Sequence, residues 1–153
     1  MSGIKGKDTS PELLVRHALH ARGFRYRLGG AGLPGKPDLV FPKFSAAIFI
    51  HGCFWHAHAC NDFHVPSSNI DFWVTKLSGN VERDRRQIKA IQKVQWRVLV
   101  IWECSVRKTS AARVSSVVDI AVDWLLNYDH SYLEISKGRN GSISKRRTTA
   151  RSL

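Results

Sequence analysis

Acid is scarce in this sequence. Twenty-four Lys and Arg stand against 12 Asp and Glu, a formal net charge of +12. An excess of that size says nothing about fold, but it favours a polyanionic partner, nucleic acid first and an anionic membrane surface second. Long apolar runs are also missing. None approaches the roughly 18 residues that a spanning helix requires, and Met1-Ser-Gly-Ile-Lys5 has no apolar leader. A cytoplasmic, nucleoid-associated location is the expectation, with no membrane partner. Cysteine is sparse and odd in number, with three residues. That fits a disulfide framework poorly, and a reducing compartment argues against one. Internal repeats are absent. The 153 residues are enough for one domain with a modest core.

What is present reads as alternating helices and strands. Residues 1–9 are polar and loose. Thr9 or Ser10 can cap a helix, with Pro11 in its first turn and Glu12 three residues after Thr9. Leu14, Val15, Ala18 and Leu19 form its apolar stripe, and Gly23 ends it. Phe24 to Leu28 alternates apolar and basic residues, as a strand does. Gly29-Gly-Ala-Gly-Leu-Pro-Gly-Lys-Pro37 is a loop. Asp38–Phe41 and Ala46–Ile50 predict two short strands, paired as a hairpin. Residues 51–70 are irregular. From Asp71 the chain is helical, with Ile88, Ile91 and Val94 facing inward. Trp96 to Trp102 predicts a buried strand, and Ala111 to Leu126 a helix with Val114, Val117, Val118, Ala121 and Leu125 on one side. Residues 137–153 hold Lys137, Arg139, Lys145, Arg146, Arg147 and Arg151 and no acid. That composition predicts a disordered basic tail after a domain at 1–136. The order of elements suits a mixed sheet flanked by helices.

The densest chemistry is His51-Gly-Cys53-Phe-Trp-His56-Ala-His58-Ala-Cys60, with five soft or borderline ligands in ten residues. Cys104 follows the predicted strand in Trp102-Glu-Cys104. Two thiolates, one of these histidines and the distant third thiolate would make a closed tetrahedral zinc site, which is a structural site. Buried structural cysteines and surface histidines are the alternative. The other histidines remain free, and imidazole is a good general base near neutrality. Asp38, at a strand edge beside the glycine-rich loop, can hold a hard cation such as Mg²⁺. A Pro-Asp pair alone is more often a turn, but paired strands would turn Asp38 and His51 to one cleft. Phe54 and Trp55 sit in a polar segment, with Trp73 just beyond. Aromatics placed so can wedge between bases or pack on the knuckle. Trp96, Trp102 and Trp124 read as core. Glu82-Arg-Asp-Arg-Arg86 is a charge run, read as a solvated helix face that can also bind phosphates.

Together these segments resemble the very short patch repair (Vsr) endonucleases over roughly residues 3–107. The resemblance rests on Gly6-Lys-Asp-Thr-Ser-Pro-Glu12, Leu33-Pro-Gly-Lys-Pro-Asp-Leu-Val-Phe41, His51-Gly-Cys-Phe-Trp-His56, Cys60, Asn80-Val-Glu-Arg-Asp84 and Gln95-Trp-Arg-Val-Leu-Val-Ile-Trp-Glu-Cys104. It implies a restriction-endonuclease-like α/β fold, a central mixed sheet with helices on both sides. It also implies a Mg²⁺-dependent nick 5′ to the thymine of a T:G mismatch, the product of 5-methylcytosine deamination. The implied partner is duplex DNA holding that mismatch. A monomer is implied, working beside mismatch-repair proteins or a DNA cytosine methyltransferase.

The resemblance assigns Asp38 to Mg²⁺, His56 to activation of the attacking water, His51 to a second active-site imidazole and Glu12 to support of the catalytic cluster. Cys53, His58, Cys60 and Cys104 match zinc ligands. Phe54, Trp55 and Trp73 match an aromatic wedge. Restriction-type sites place a second acid and a lysine after the aspartate, and Ile48 to Gly52 supplies neither. A histidine must then abstract the proton, and the main-chain carbonyl of Ile50 is the natural further metal ligand. The N-terminal arm that family members place in the minor groove is expected to be short, with only Met1 and Ile4 as wedges. Two other readings are a related endonuclease with a different target, in restriction or defence, and a non-catalytic zinc-stabilised DNA-binding module.

Overall fold

The computed structural model describes residues 9–60, 63–128 and 130–148. Met1, Ile4 and Arg151 lie outside them. Among the described residues, five strands form one sheet in the order β1-β2-β3-β4-β5: β1 Leu39–Phe41, β2 Ala46–His51, β3 Arg97–Trp102, β4 Tyr132–Lys137 and β5 Ile143–Thr148. The outer pairs are antiparallel, and β2–β3 and β3–β4 are parallel. Three α-helices cover it: α1 Ser10–Ala21, α2 Ile70–Lys93 and α3 Ala111–Leu126. This is the expected mixed sheet between helices.

Strand period two divides the core between the faces. Ala46, Ile48, Leu99, Ile101, Leu133 and Ile135 meet Val15 and Leu19 of α1 and Val117, Val118, Ala121 and Leu125 of α3. Ala47, Phe49, Val98, Val100, Trp102 and Tyr132 meet Ile88 and Ile91 of α2. By the same alternation, His51 and Trp102 fall on the α2 face. The Thr9 hydroxyl caps α1 by accepting from the Glu12 N–H, as its spacing predicts.

Four expectations are corrected. Phe24 to Leu28 makes only an isolated bridge, Arg27 with Val40. The neighbouring β1 is three residues long, and Gly29 and Gly30 at positive φ turn the chain away. Leu14 and Val94 are 43% and 54% exposed. Leu14 lies off the stripe set by Val15 and Leu19, and Val94 lies past the last helical residue. The basic tail is ordered as far as Thr148: all six β5 residues pair with β4. Its charge hid this. The open edge of β4 satisfies the β5 backbone, Ile143 packs on the core, and Arg146 pairs with Glu134. Residues 149–153 lie outside the described residues.

Arg97 anchors the α1/α3 layer. It is 8% exposed, and its guanidinium donates to the carbonyls of Trp124 (2.7 Å), Leu125 (3.1 Å) and Phe44 (3.3 Å). It therefore satisfies carbonyls that the end of α3 leaves open. Arg97→Met should cost about 1–3 kcal/mol through orphaned carbonyls, read as a lower urea midpoint. An unchanged midpoint would remove this role from Arg97.

Candidate active site and metal knuckle

The site forms where β2 ends and the chain turns back under α2. The glycine-rich loop delivers Asp38 to the start of β1. At Gly35 φ is +74°, and a Cβ there would sit 2.7 Å from the Gln87 side chain on α2, so a side chain would force the loop and helix apart. Asp38 Oδ2 accepts the Ile50 N–H at 2.7 Å. Glu12 is buried beside Asp38, on the first turn of α1, and accepts from Arg16 at 2.8 Å. Burial, and then the neighbouring Glu12, raise the Asp38 pKa to about 7 against the opposing Ile50 hydrogen bond. Two carboxyls so placed resist joint ionisation unless a cation joins them.

His51 ends β2 and is buried. His56 returns over it, held by its N–H to the Gly52 carbonyl (3.2 Å). The two rings stack with centroids 3.8 Å apart and planes 6° from parallel. Burial first, and then His56, push the His51 pKa well below the ordinary imidazole value, so His51 is neutral. His56 Nδ1 lies 2.5 Å from Asp84 Oδ2.

Asp84 carries the signal that the charge-run reading missed. Leu77, Asn80, Asp84, Ile88 and Ile91 recur every three or four residues, which puts them on one helix face. Two polar residues on an inward stripe need partners inside. Asn80 finds the Trp55 carbonyl at 2.9 Å and Asp84 finds His56. Glu82 and Arg85 do face solvent, where they pair with each other.

The expected aromatics also gather here. Phe54, Trp55 and Trp73 are half-buried, with ring separations of 4.9 Å (Phe54–Trp55), 5.4 Å (Phe54–Trp73) and 6.0 Å (Trp55–Trp73). Phe54 and Trp55 line a cleft of about 630 Å³ together with Ile50, His56, Lys76, Arg83 and Arg107.

Cys53, His58, Cys60 and Cys104 bring their ligand atoms within 4.8 Å of one another. Cys104 Sγ and His58 Nδ1 are 3.7 Å apart, close to the tetrahedral edge of about 3.6 Å implied by bonds of ~2.0–2.3 Å to zinc. Without a cation the thiols must share protons. The hydrogen bond to Cys104, then burial, push Cys53 far up, while the same hydrogen bond holds Cys104 at about 4. A dication removes that conflict by taking every sulfur as thiolate. The donor set fits a closed structural zinc site. Its surroundings are tied as well: the Cys53 N–H donates to Glu103 Oε1 (3.1 Å), and Trp102 stacks on His58 at 4.2 Å.

Gently purified protein should therefore hold one tightly bound zinc per chain by elemental analysis. Cys104→Ala should lose that zinc and unfold at lower temperature, since structural zinc contributes folding free energy. Zinc-free native protein would overturn the assignment.

The chain is similar to known proteins over most of its length. The family DNA mismatch endonuclease Vsr matches residues 1–62. Type II nicking enzyme V.NmeAIP of Neisseria meningitidis is 44% identical over 113 residues, 74% of this chain and 81% of that protein. Type II nicking enzyme V.XorIIP of Xanthomonas oryzae pv. oryzae is 41% identical over 121 residues, 78% and 89% of the two chains. DNA mismatch endonuclease Vsr of Escherichia coli is 39% identical over 125 residues, 82% and 80% of the two. With identity at this level across most of both chains, the chain belongs to the Vsr family of DNA endonucleases.

Proposed function

We propose that this protein nicks one strand of duplex DNA 5′ to the thymine of a T:G mismatch, with His56 as general base. The observation that carries the reading is the His56–Asp84 contact, on an imidazole that lines the same cleft as Phe54 and Trp55. A carboxylate on Nδ1 fixes the tautomer and leaves Nε2 with its lone pair. Nε2 takes a proton from the attacking water as the new O–P bond forms and the P–O3′ bond breaks, leaving a 5′-phosphate and a 3′-oxygen that is protonated to the hydroxyl, and Asp84 stabilises the resulting imidazolium. His51, neutral and stacked beneath, holds the ring in place and adds no second charge.

Asp38, supported by Glu12, is the carboxylate for Mg²⁺. In an extended strand the N–H and C=O of one residue point the same way. The Ile50 carbonyl therefore faces the side of Asp38, as its N–H does, and suits a further metal ligand. Bound there, Mg²⁺ would polarise the phosphodiester and stabilise the leaving oxygen. Phe54, Trp55 and Trp73 form the wedge. A T:G step is less well stacked than a Watson–Crick step, so opening it costs less, and the wedge reads that difference as energy. Other relatives are named type II nicking enzymes, which keeps a nicking endonuclease with another target as the second reading. Mismatch-repair proteins or a DNA cytosine methyltransferase are the partners this reading implies.

Nicking assays on T:G and matched duplexes decide between them; equal rates would reject mismatch selection. His56→Ala should lower nicking by about 10²–10⁴-fold and leave DNA affinity nearly intact. Normal cutting by this variant, or by Asp38→Asn, would remove the assigned role. Protons and Mg²⁺ compete for Asp38, whose pKa is about 7 before a cation binds. The Mg²⁺ needed for half-maximal rate should thus rise as pH falls from about 8 to about 6.

Trp55→Ala should reduce T:G nicking by at least roughly tenfold, since each stacking aromatic contributes on the order of 1–3 kcal/mol. The loss on matched duplex should be smaller, and circular dichroism should be unchanged. Equal losses, or a collapsed fold, would make Trp55 a core residue of the knuckle.

A further inference from the structure

The proposed reaction leaves the β4–β5 hairpin without a role. The fold orders five of its cations, Lys137, Arg139, Lys145, Arg146 and Arg147, and no acid lies between Glu134 and Thr148. These cations are not equivalent. Arg146 pairs with Glu134 at 3.6 Å. Lys145 and Arg147 border a hollow on the α3 side that also holds Asp119 and Asp123. Lys137 and Arg139 stand apart. They line a hollow of about 420 Å³ between the hairpin turn and the metal knuckle, walled also by Gly138, Cys60, Phe63 and Cys104, with no acid among the described residues of its lining.

The turn is fixed to the body. The Lys137 N–H donates to Cys104 Sγ at 3.4 Å, and the Arg113 guanidinium donates to the Gly141 carbonyl. The Gly138 N–H closes the turn on the Ser142 carbonyl at 2.6 Å. Lys137 and Arg139 are thus held at a set place relative to the knuckle. Phe63, in the wall of the hollow, lies 6.3 Å from Phe54. The hollow therefore shares a wall with the aromatic cluster of the wedge.

We propose that Lys137 and Arg139 form a second grip on DNA, a phosphodiester site for the duplex backbone flanking the wedged step. This rests on the reading that Phe54, Trp55 and Trp73 enter the duplex. The site positions the backbone and carries no sequence information. It tightens matched and mismatched duplex alike, and leaves mismatch discrimination to the wedge.

The test is the salt dependence of duplex binding by the full chain. Each phosphate neutralised contributes about 0.9 to the slope of log K against log salt. Lys137→Gln with Arg139→Gln should flatten that slope by about 1.8 and weaken binding several-fold, to roughly tenfold, at physiological salt. The change should be equal on T:G and matched duplex. The single-turnover rate at saturating DNA should fall far less than the affinity. Lys145→Gln with Arg147→Gln makes the same change in net charge on the α3 side and should move the slope much less. Lys137→Arg with Arg139→Lys disturbs the same packing but keeps the charge, and should retain the parent slope and zinc content. An unchanged slope in the first variant overturns the site. So does an equal shift in the first two, which would show an effect of net charge alone, or loss of slope in the charge-preserving variant. A parent protein with no T:G preference would sink the proposed target, yet these slopes would still test the grip.

Discussion

The parallel pairing of β2 with β3 is the constraint on which the site depends. Their register sets His51 beside Trp102, so the two strands leave the sheet at the same level. Cys53 lies two residues beyond one strand end and Cys104 two residues beyond the other. The sheet therefore brings two of the four knuckle ligands together before the irregular segment contributes His58 and Cys60. Among its described residues, that segment forms no helix or strand between His51 and Ile70. Closure of these donors on a metal would do there the work that a hydrogen-bonded ladder does elsewhere, beside the His56 N–H to the Gly52 carbonyl that sets His56 over His51.

Two kinds of buried polar chemistry are kept apart within this site. Glu12 and Asp38 are acids pressed together out of water, and burial raises the Asp38 pKa. Their arrangement suits a hard cation. The His56–Asp84 pair suits a proton, and the depressed His51 beneath it stays neutral. Were both imidazoles charged, the flat stack at 3.8 Å would place like charges face to face. The stack therefore disfavours a positive charge on His51, so that the buried ring supports its neighbour as a neutral imidazole.

Much of this was legible in the residues. The capping of α1, the Asp38–Ile50 hairpin, the buried β3 strand and the gathering of three thiols with a histidine follow from local spacing and donor chemistry. The charge run hides the inward role of Asp84, whose partner lies 28 positions away. Only its place on the stripe of Leu77, Ile88 and Ile91 marks it as inward. The β4–β5 hairpin is hidden for a related reason. Composition measures how little apolar surface a segment can bury, but β5 is an edge strand whose order comes from the backbone of β4. No property of Ser144 to Arg147 alone foretells that an open edge is waiting for them. Phe24 to Leu28 shows the converse: a good alternating pattern beside a partner too short to pair with.

The distribution of charge around the cleft follows the same logic. The acids near it are tied down: Glu12 by Arg16, Asp84 by His56, and Glu103 by the Cys53 N–H and by Arg107. The cleft lining adds Lys76 and Arg83. The cleft lining is thus mostly cationic, with Glu103 the acid among its described residues, while Glu12 lies buried. A phosphodiester and a hard cation make opposite demands on a surface, and a uniformly basic protein would repel the cation. Burying the acids beneath a basic rim lets the long-range field gather the polyanion. The carboxylates act only over the short distance at which a cation would bind. The net charge of +12 is therefore compatible with a hard-cation site, because Glu12 and Asp38 lie together beneath the basic rim.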